Sequence, residues 1–272
     1  VRSGHDNLVE WHWQPIAAHG GMGNARVSHA DYFITPLDVI RAQLREIVTN
    51  NQSIIISLPA GKNARIDYLV YYSPIYSSDF SENNPDLYTF AGHAVDDINL
   101  RGRFDLGVLG FNGAYEVEGE VLYLDAQHDS PDLQVLYRKK DVQHDKQERM
   151  QHDVLMPEAL QNVTTFAARG SMGDGAVVEL TTYRIAIATS GEYTQYFGGK
   201  SGAANAIMTT LNRVNQIYER ELAIRFQLVD NNTDLIQPNA SNDPFSNQPT
   251  ENDLRENQKL IDRIIGVNNY DI

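Results

Sequence analysis

Between Pro36 and Val48 the apolar residues Leu37, Ile40, Leu44, Ile47 and Val48 recur at intervals that place them on one helical face. Pro36 suits the first turn, so the spacing predicts a short amphipathic helix. From Ser53 the period changes. The runs SIIISLP, RIDYLVYY, LRGRFDLGVLG, EGEVLYLD and LQVLYR are separated by Gly, Pro, Asn and Asp clusters, the pattern of short strands joined by turns. Upstream, residues 1–27 hold turn formers and two Trp but no sustained period, and read as an irregular lead-in. Residues 28–140 therefore read as one β-rich domain with a leading helix.

Residues 141–178 are polar and charged and close in a glycine-rich patch. This is linker chemistry, and long connections of this kind are functional or unstructured. Nicking concentrates in such segments, and the pair Arg169-Gly170 is the expected processing position. Beyond it, TTYRIAIATS predicts a strand. SGAANAIMTTLNRVNQIYER places Ala204, Ile207, Met208, Leu211, Val214 and Tyr218 on one helical stripe, and LAIRFQLV predicts a second strand. A polar loop to Pro249 precedes a last helix with Leu254, Ile261, Ile264 and Ile265 on one face. Thr250 with Asp253 makes a capping box and Gly266 a stop. Strand, helix, strand, loop, helix is the opening of an α/β sandwich with largely parallel strands. The last three residues read as the first step of a third strand beginning at Tyr270, so the chain is expected to be part of a longer one.

Composition limits the function. The chain has 272 residues, 42% of them hydrophobic, enough to bury sizeable cores. A formal charge of −14 argues against nucleic acid or an anionic membrane as a partner. No run is long and apolar enough for a membrane span, and the chain opens at Val1 with no signal-like run, so a removed leader is the simplest expectation. Without cysteine there is no disulfide framework, thiolate metal ligand or Cys nucleophile.

The search for chemistry ends without a site. There is no H-E-x-x-H, and His144 and His152 are eight residues apart, too far to share adjacent helical turns. His5, His12, His19 and His29 read as solvated. No G-x-S-x-G is present. The glycines of FGGKSGAANA match no phosphate-binding motif and read as torsional relief before a helix. Asp96-Asp97 and the run Glu116, Glu118, Glu120 would put carboxylates together, the latter on one strand face; a solvated face is the default reading and a calcium cluster the sharper alternative. The Asn-x-Ser/Thr matches at Asn51, Asn162, Asn231 and Asn239 would matter only in a eukaryotic secretory host.

TYRIAIATSGEYTQYFGG, LNRVNQIYERELAIRFQLV and ENQKLIDRIIGVNNYDI are similar to the opening of the catalytic domain of secreted bacterial reprolysin-like zinc metalloproteases, members of the metzincin group. ISLPAGKNARIDYLVYYSPIY, YTFAGHAVDDINLRGRFDL and EVLYLDAQHDSPDLQVLYRKK resemble their propeptide. The resemblance implies a fold of α+β and α/β parts: a β-rich prodomain followed by the first half of a metzincin-like α/β domain over 179–272. It also implies secretion, a catalytic zinc, protein substrates, and the remaining C-terminal part of the catalytic domain as a partner. The zinc histidines, catalytic glutamate and Met-turn of that family would lie beyond Ile272, so no catalytic, cofactor or metal residue is assigned within the chain. Two readings stand: the N-terminal portion of a metalloendopeptidase zymogen, or a stand-alone propeptide-like inhibitor or scaffold.

Overall fold

A computed structural model of the protein describes residues 8–17, 27–127, 129–142, 179–245 and 251–272. Ten strands form one sheet: β1 (Leu8–Val9), β2 (Gln14–Ile16), β3 (Asp31–Ile34), β4 (Ser53–Pro59), β5 (Arg65–Tyr72), β6 (Tyr88–Ala94), β7 (Arg101–Gly107), β8 (Gly110–Val117), β9 (Glu120–Gln127) and β10 (Ser130–Arg138). Their spatial order is β1-β4-β5-β6-β7-β8-β9-β10-β3-β2. Helix α1 (Leu37–Asn50) links β3 to β4, and the short α2 (Ser78–Asn83) lies between β5 and β6.

The order dictates the shape. Laid flat, ten strands about 4.8 Å apart would separate β1 from β2 by roughly 43 Å. Yet only residues 10–13 join these outermost strands, and from Val9 to Gln14 the chain reaches at most about 18 Å. The sheet must curl until its edges approach. Trp11 and Trp13, on the joining segment, are buried; their indole N–H groups donate to Gln43 Oε1 (2.5 Å) and the Ser57 carbonyl (2.8 Å). Residues 8–16, expected to be irregular, thus supply both edges. Strands of two and three residues are too short to show a period.

Alternation along the strands sends Tyr68, Phe90, Phe104, Phe111 and Tyr115 into the curl. There they pack with Leu37, Ile40, Leu44 and Ile47 of α1 in one cluster. The carboxylate run does not share one strand face. Glu116 is in β8, Glu118 and Gly119 form a two-residue turn with φ of 51° and 81°, and Glu120 opens β9. Positive φ at both central positions gives the tight hairpin that matches strand twist.

A second, two-stranded sheet pairs β11 (Thr181–Ile185) in parallel with β12 (Ile224–Leu228). Between them run α3 (Gly191–Tyr196) and the long α4 (Lys200–Leu222); α5 (Glu251–Ile264) follows. The crossover helix makes this a β-α-β arrangement, as the sequence pattern predicts, and the chain as a whole is α+β. On the other edge of β11, the Ile272 N–H donates to the Arg184 carbonyl and the Ala186 N–H to the Ile272 carbonyl. Those two bonds tie the Ile272 backbone to that edge, while residues 270–272 form no strand. Among the described residues, no helix is long and apolar enough to cross a membrane.

Candidate functional site

Among the residues of β7 and β8 that face away from the curl are Arg103, Asp105, Asn112 and Glu116. Such positions are normally wet, but all four are buried, with Arg103 and Asp105 each 2% exposed. Helix α4 covers them. Its apolar stripe, Ala203, Ala204, Ile207, Met208 and Leu211, turns toward β12. A polar seam at Asn205, Thr209, Asn212, Gln216 and Glu219, spaced four, three, four, three, turns toward the large sheet.

The seam is matched group by group. Arg103 donates from Nη2 to Glu219 Oε1 (2.5 Å), from Nε to Glu219 Oε2 (3.3 Å) and from Nη1 to Asn212 Oδ1 (3.3 Å). Glu219 also accepts from Arg225 of β12 (2.5 Å), so one carboxylate serves two guanidinium groups. Asn212 and Gln216 donate to the Phe104 and Arg101 carbonyls, each at 2.8 Å. Asn205 accepts from the Leu109 N–H (2.8 Å). Gly107 has no side chain where Asn205 sits: a Cβ there would lie 2.3 Å from Asn205 Oδ1.

Asp105 is the most confined charge. Its Oδ1 accepts from Thr209 (2.7 Å), Asn112 (3.0 Å) and Asn205 (3.3 Å). Burial nevertheless outweighs these bonds and pushes its pKa up to about 6. Beside it, Arg213 pairs with Asp125 of β9 and lies 5.1 Å from the Tyr123 ring centroid. Asp125 also accepts from the Tyr137 hydroxyl (2.7 Å). At the far end of the seam, Arg220 pairs with Glu116, whose other oxygen accepts from the Arg101 N–H (3.0 Å). Of the suggested calcium ligands, Glu116 is therefore an ion-pair partner of an arginine, and Glu120 pairs with Arg138 and Lys140.

The other positions singled out by sequence assemble nothing. Among the described residues there is no group of three or more His, Cys, Asp or Glu able to hold a metal ion. His12 and His29 are exposed. Asp97 accepts from the backbone and side chain of Asn99, a local turn. Gly198 and Gly199 take φ of 75° and 114° before α4, which accounts for both glycines. Arg169, Gly170, His144, His152 and Thr250 lie outside the described residues. The seam on α4 is hard to read from sequence, because Asn, Thr, Gln and Glu are ordinary solvent-facing residues of a helix. Its four-three spacing was the available signal.

At the end of the smaller unit, Arg184 holds Asp271 through a two-point contact at 2.8 and 3.2 Å. These hydrogen bonds, with one from the Arg184 N–H, pull the Asp271 carboxyl down to about 2.

The geometry is thus an interface between a β-rich unit and an α/β unit, with no metal centre among the described residues. A search among curated proteins finds no match to the chain. Residues 180–272, which span the whole α/β unit, match the model of the family described as Metallo-peptidase family M12B Reprolysin-like, and this supports a reprolysin-like metallopeptidase domain in that part of the chain.

Proposed function

We propose that the chain is the propeptide and the opening part of the catalytic domain of a secreted zinc metalloendopeptidase zymogen that cleaves protein substrates. The observation that carries the reading is the family match over 180–272, which falls on a parallel β-α-β unit packed against a separate β-rich sheet. Peptidases of this family depend on zinc, and a catalytic zinc needs three protein ligands around an open position. The described residues do not provide them, so the ligands and the catalytic base belong to residues outside this set. Secretion, a bacterial source, processing within 141–178 and calcium as a further cation belong to the same proposal.

The test compares residues 1–272 with the longest natural product of the coding sequence, measuring metal content and casein hydrolysis side by side. Zinc and activity are expected in the longer product alone. Stoichiometric zinc with activity in residues 1–272 would overturn the assignment. A natural product without zinc or activity would favour the propeptide-like inhibitor or scaffold.

A further inference from the structure

Two polar side chains point into the curl at one corner of the large sheet. Gln134 of β10 pairs with Phe33 of β3, and Phe33 belongs to the core inside the curl. Thr35 lies two residues beyond Phe33, so alternation sends both polar side chains inward. Both residues are 0% exposed. The Thr35 N–H donates to the Asp132 carbonyl (3.0 Å), which makes Thr35 and Gln134 diagonal neighbours on adjacent strands. Yet the Thr35 hydroxyl and the Gln134 Oε1 find no hydrogen-bond partner among the described residues. An unpaired buried polar group is costly, and two of them side by side call for a shared partner.

Turning the Gln134 amide over does not supply one. Its Nε2 donates to the Pro131 carbonyl (3.0 Å), and the reverse placement would set two acceptor oxygens against each other. The backbone at this corner is already irregular. The register of β10 on β9 shifts between Ser130 and Gln134, and the Ala126 N–H donates to the Asn112 side chain (3.1 Å). A break of this kind disrupts the ladder locally and leaves groups for other partners.

We propose that this corner binds one ordered water molecule, which accepts from the Thr35 hydroxyl and donates to Gln134 Oε1 and to the second lone pair of the Pro131 carbonyl. Three partners are the usual complement of a buried water, and the three groups have the polarity it needs, one donor and two acceptors. The water ties the end of β3, where the chain turns into α1, to the irregular part of β10. This inference concerns the large sheet alone and is independent of peptidase activity.

The test is a crystal structure of the full chain at a resolution that shows ordered solvent, together with water–protein NOE spectra. One solvent molecule within hydrogen-bond distance of both Thr35 Oγ1 and Gln134 Oε1 is expected, with a water cross-peak to the Thr35 methyl group. Thr35→Ser should keep the solvent molecule. Thr35→Val combined with Gln134→Met, which removes both polar groups at similar volume, should lose it. A dry corner in the unsubstituted protein, a direct bond between Thr35 and Gln134, or solvent that persists in the double variant would each overturn the inference.

Discussion

Arg103 of β7 and Glu219 of α4, 116 residues apart in sequence, form a two-point ion pair in which the arginine side chain is 2% exposed. A guanidinium in that position persists only because its donors are occupied. Replacing Glu219 by Ala leaves two arginines, Arg103 and Arg225, facing each other around a gap. The expected loss is about 3–5 kcal/mol, read as a lower urea midpoint at unchanged slope. Arg103→Met with Glu219→Leu should recover much of it.

Asp105 makes the assembly sensitive to pH. Its carboxyl titrates at about 6 when buried, above the ordinary aspartate value of about 3.9 in the open chain. The packed state therefore binds the proton more tightly. The stability this confers is complete below about pH 4 and is lost as pH rises through 6. Asp105→Asn keeps a neutral side chain in place. The variant should match the parent near pH 3.5 and melt at a higher temperature near pH 7.5. A melting difference that is flat across that window would contradict the assignment.

Asn215 of α4 is fully buried and bonds both backbone groups of Phe226, accepting from its N–H at 2.8 Å and donating to its carbonyl at 2.9 Å. Leucine of similar volume would strand both groups. Asn215→Leu should cost on the order of 2–5 kcal/mol by equilibrium unfolding, and amide exchange at Phe226 should quicken.

Gly107 is set by its neighbour rather than its torsions. A methyl group there meets the Asn205 side chain, which cannot swing away without releasing the Leu109 N–H. Gly107→Ala should destabilise by about 1–3 kcal/mol. Pairing it with Asn205→Ala should give less than the sum of the two single losses in a double-mutant cycle.

Where one physical term dominates locally, the sequence is readable. The apolar face of α1 and the alternating runs of β4 to β10 follow from burial against a single core, and Ala204, Ile207, Met208 and Leu211 are buried as their spacing predicts. What could not be read is decided between distant segments. Glu116, Glu118 and Glu120 alternate like a strand, yet the chain turns at Glu118-Gly119, where Gly119 takes positive φ freely and the two-residue hairpin carries Glu118 into it as well. Arg103 and Asp105 alternate as outward positions should; only the arrival of α4, a hundred residues later, turns that outer face into an interior. At Tyr270, where the sequence suggests the start of a third strand, residues 270–272 form no strand, and only two backbone hydrogen bonds of Ile272 reach β11 and the residue after it.

Because the outermost strands of the large sheet are consecutive in the chain, the four residues between them act as a hoop of fixed girth. An extra strand from a second molecule could be admitted only by forcing that hoop open, and the buried tryptophans on it resist. A curled sheet fastened in this way offers little free rim on which another copy could grow. A ten-stranded sheet can thereby remain closed to edge-to-edge polymerisation without relying on charged edge residues.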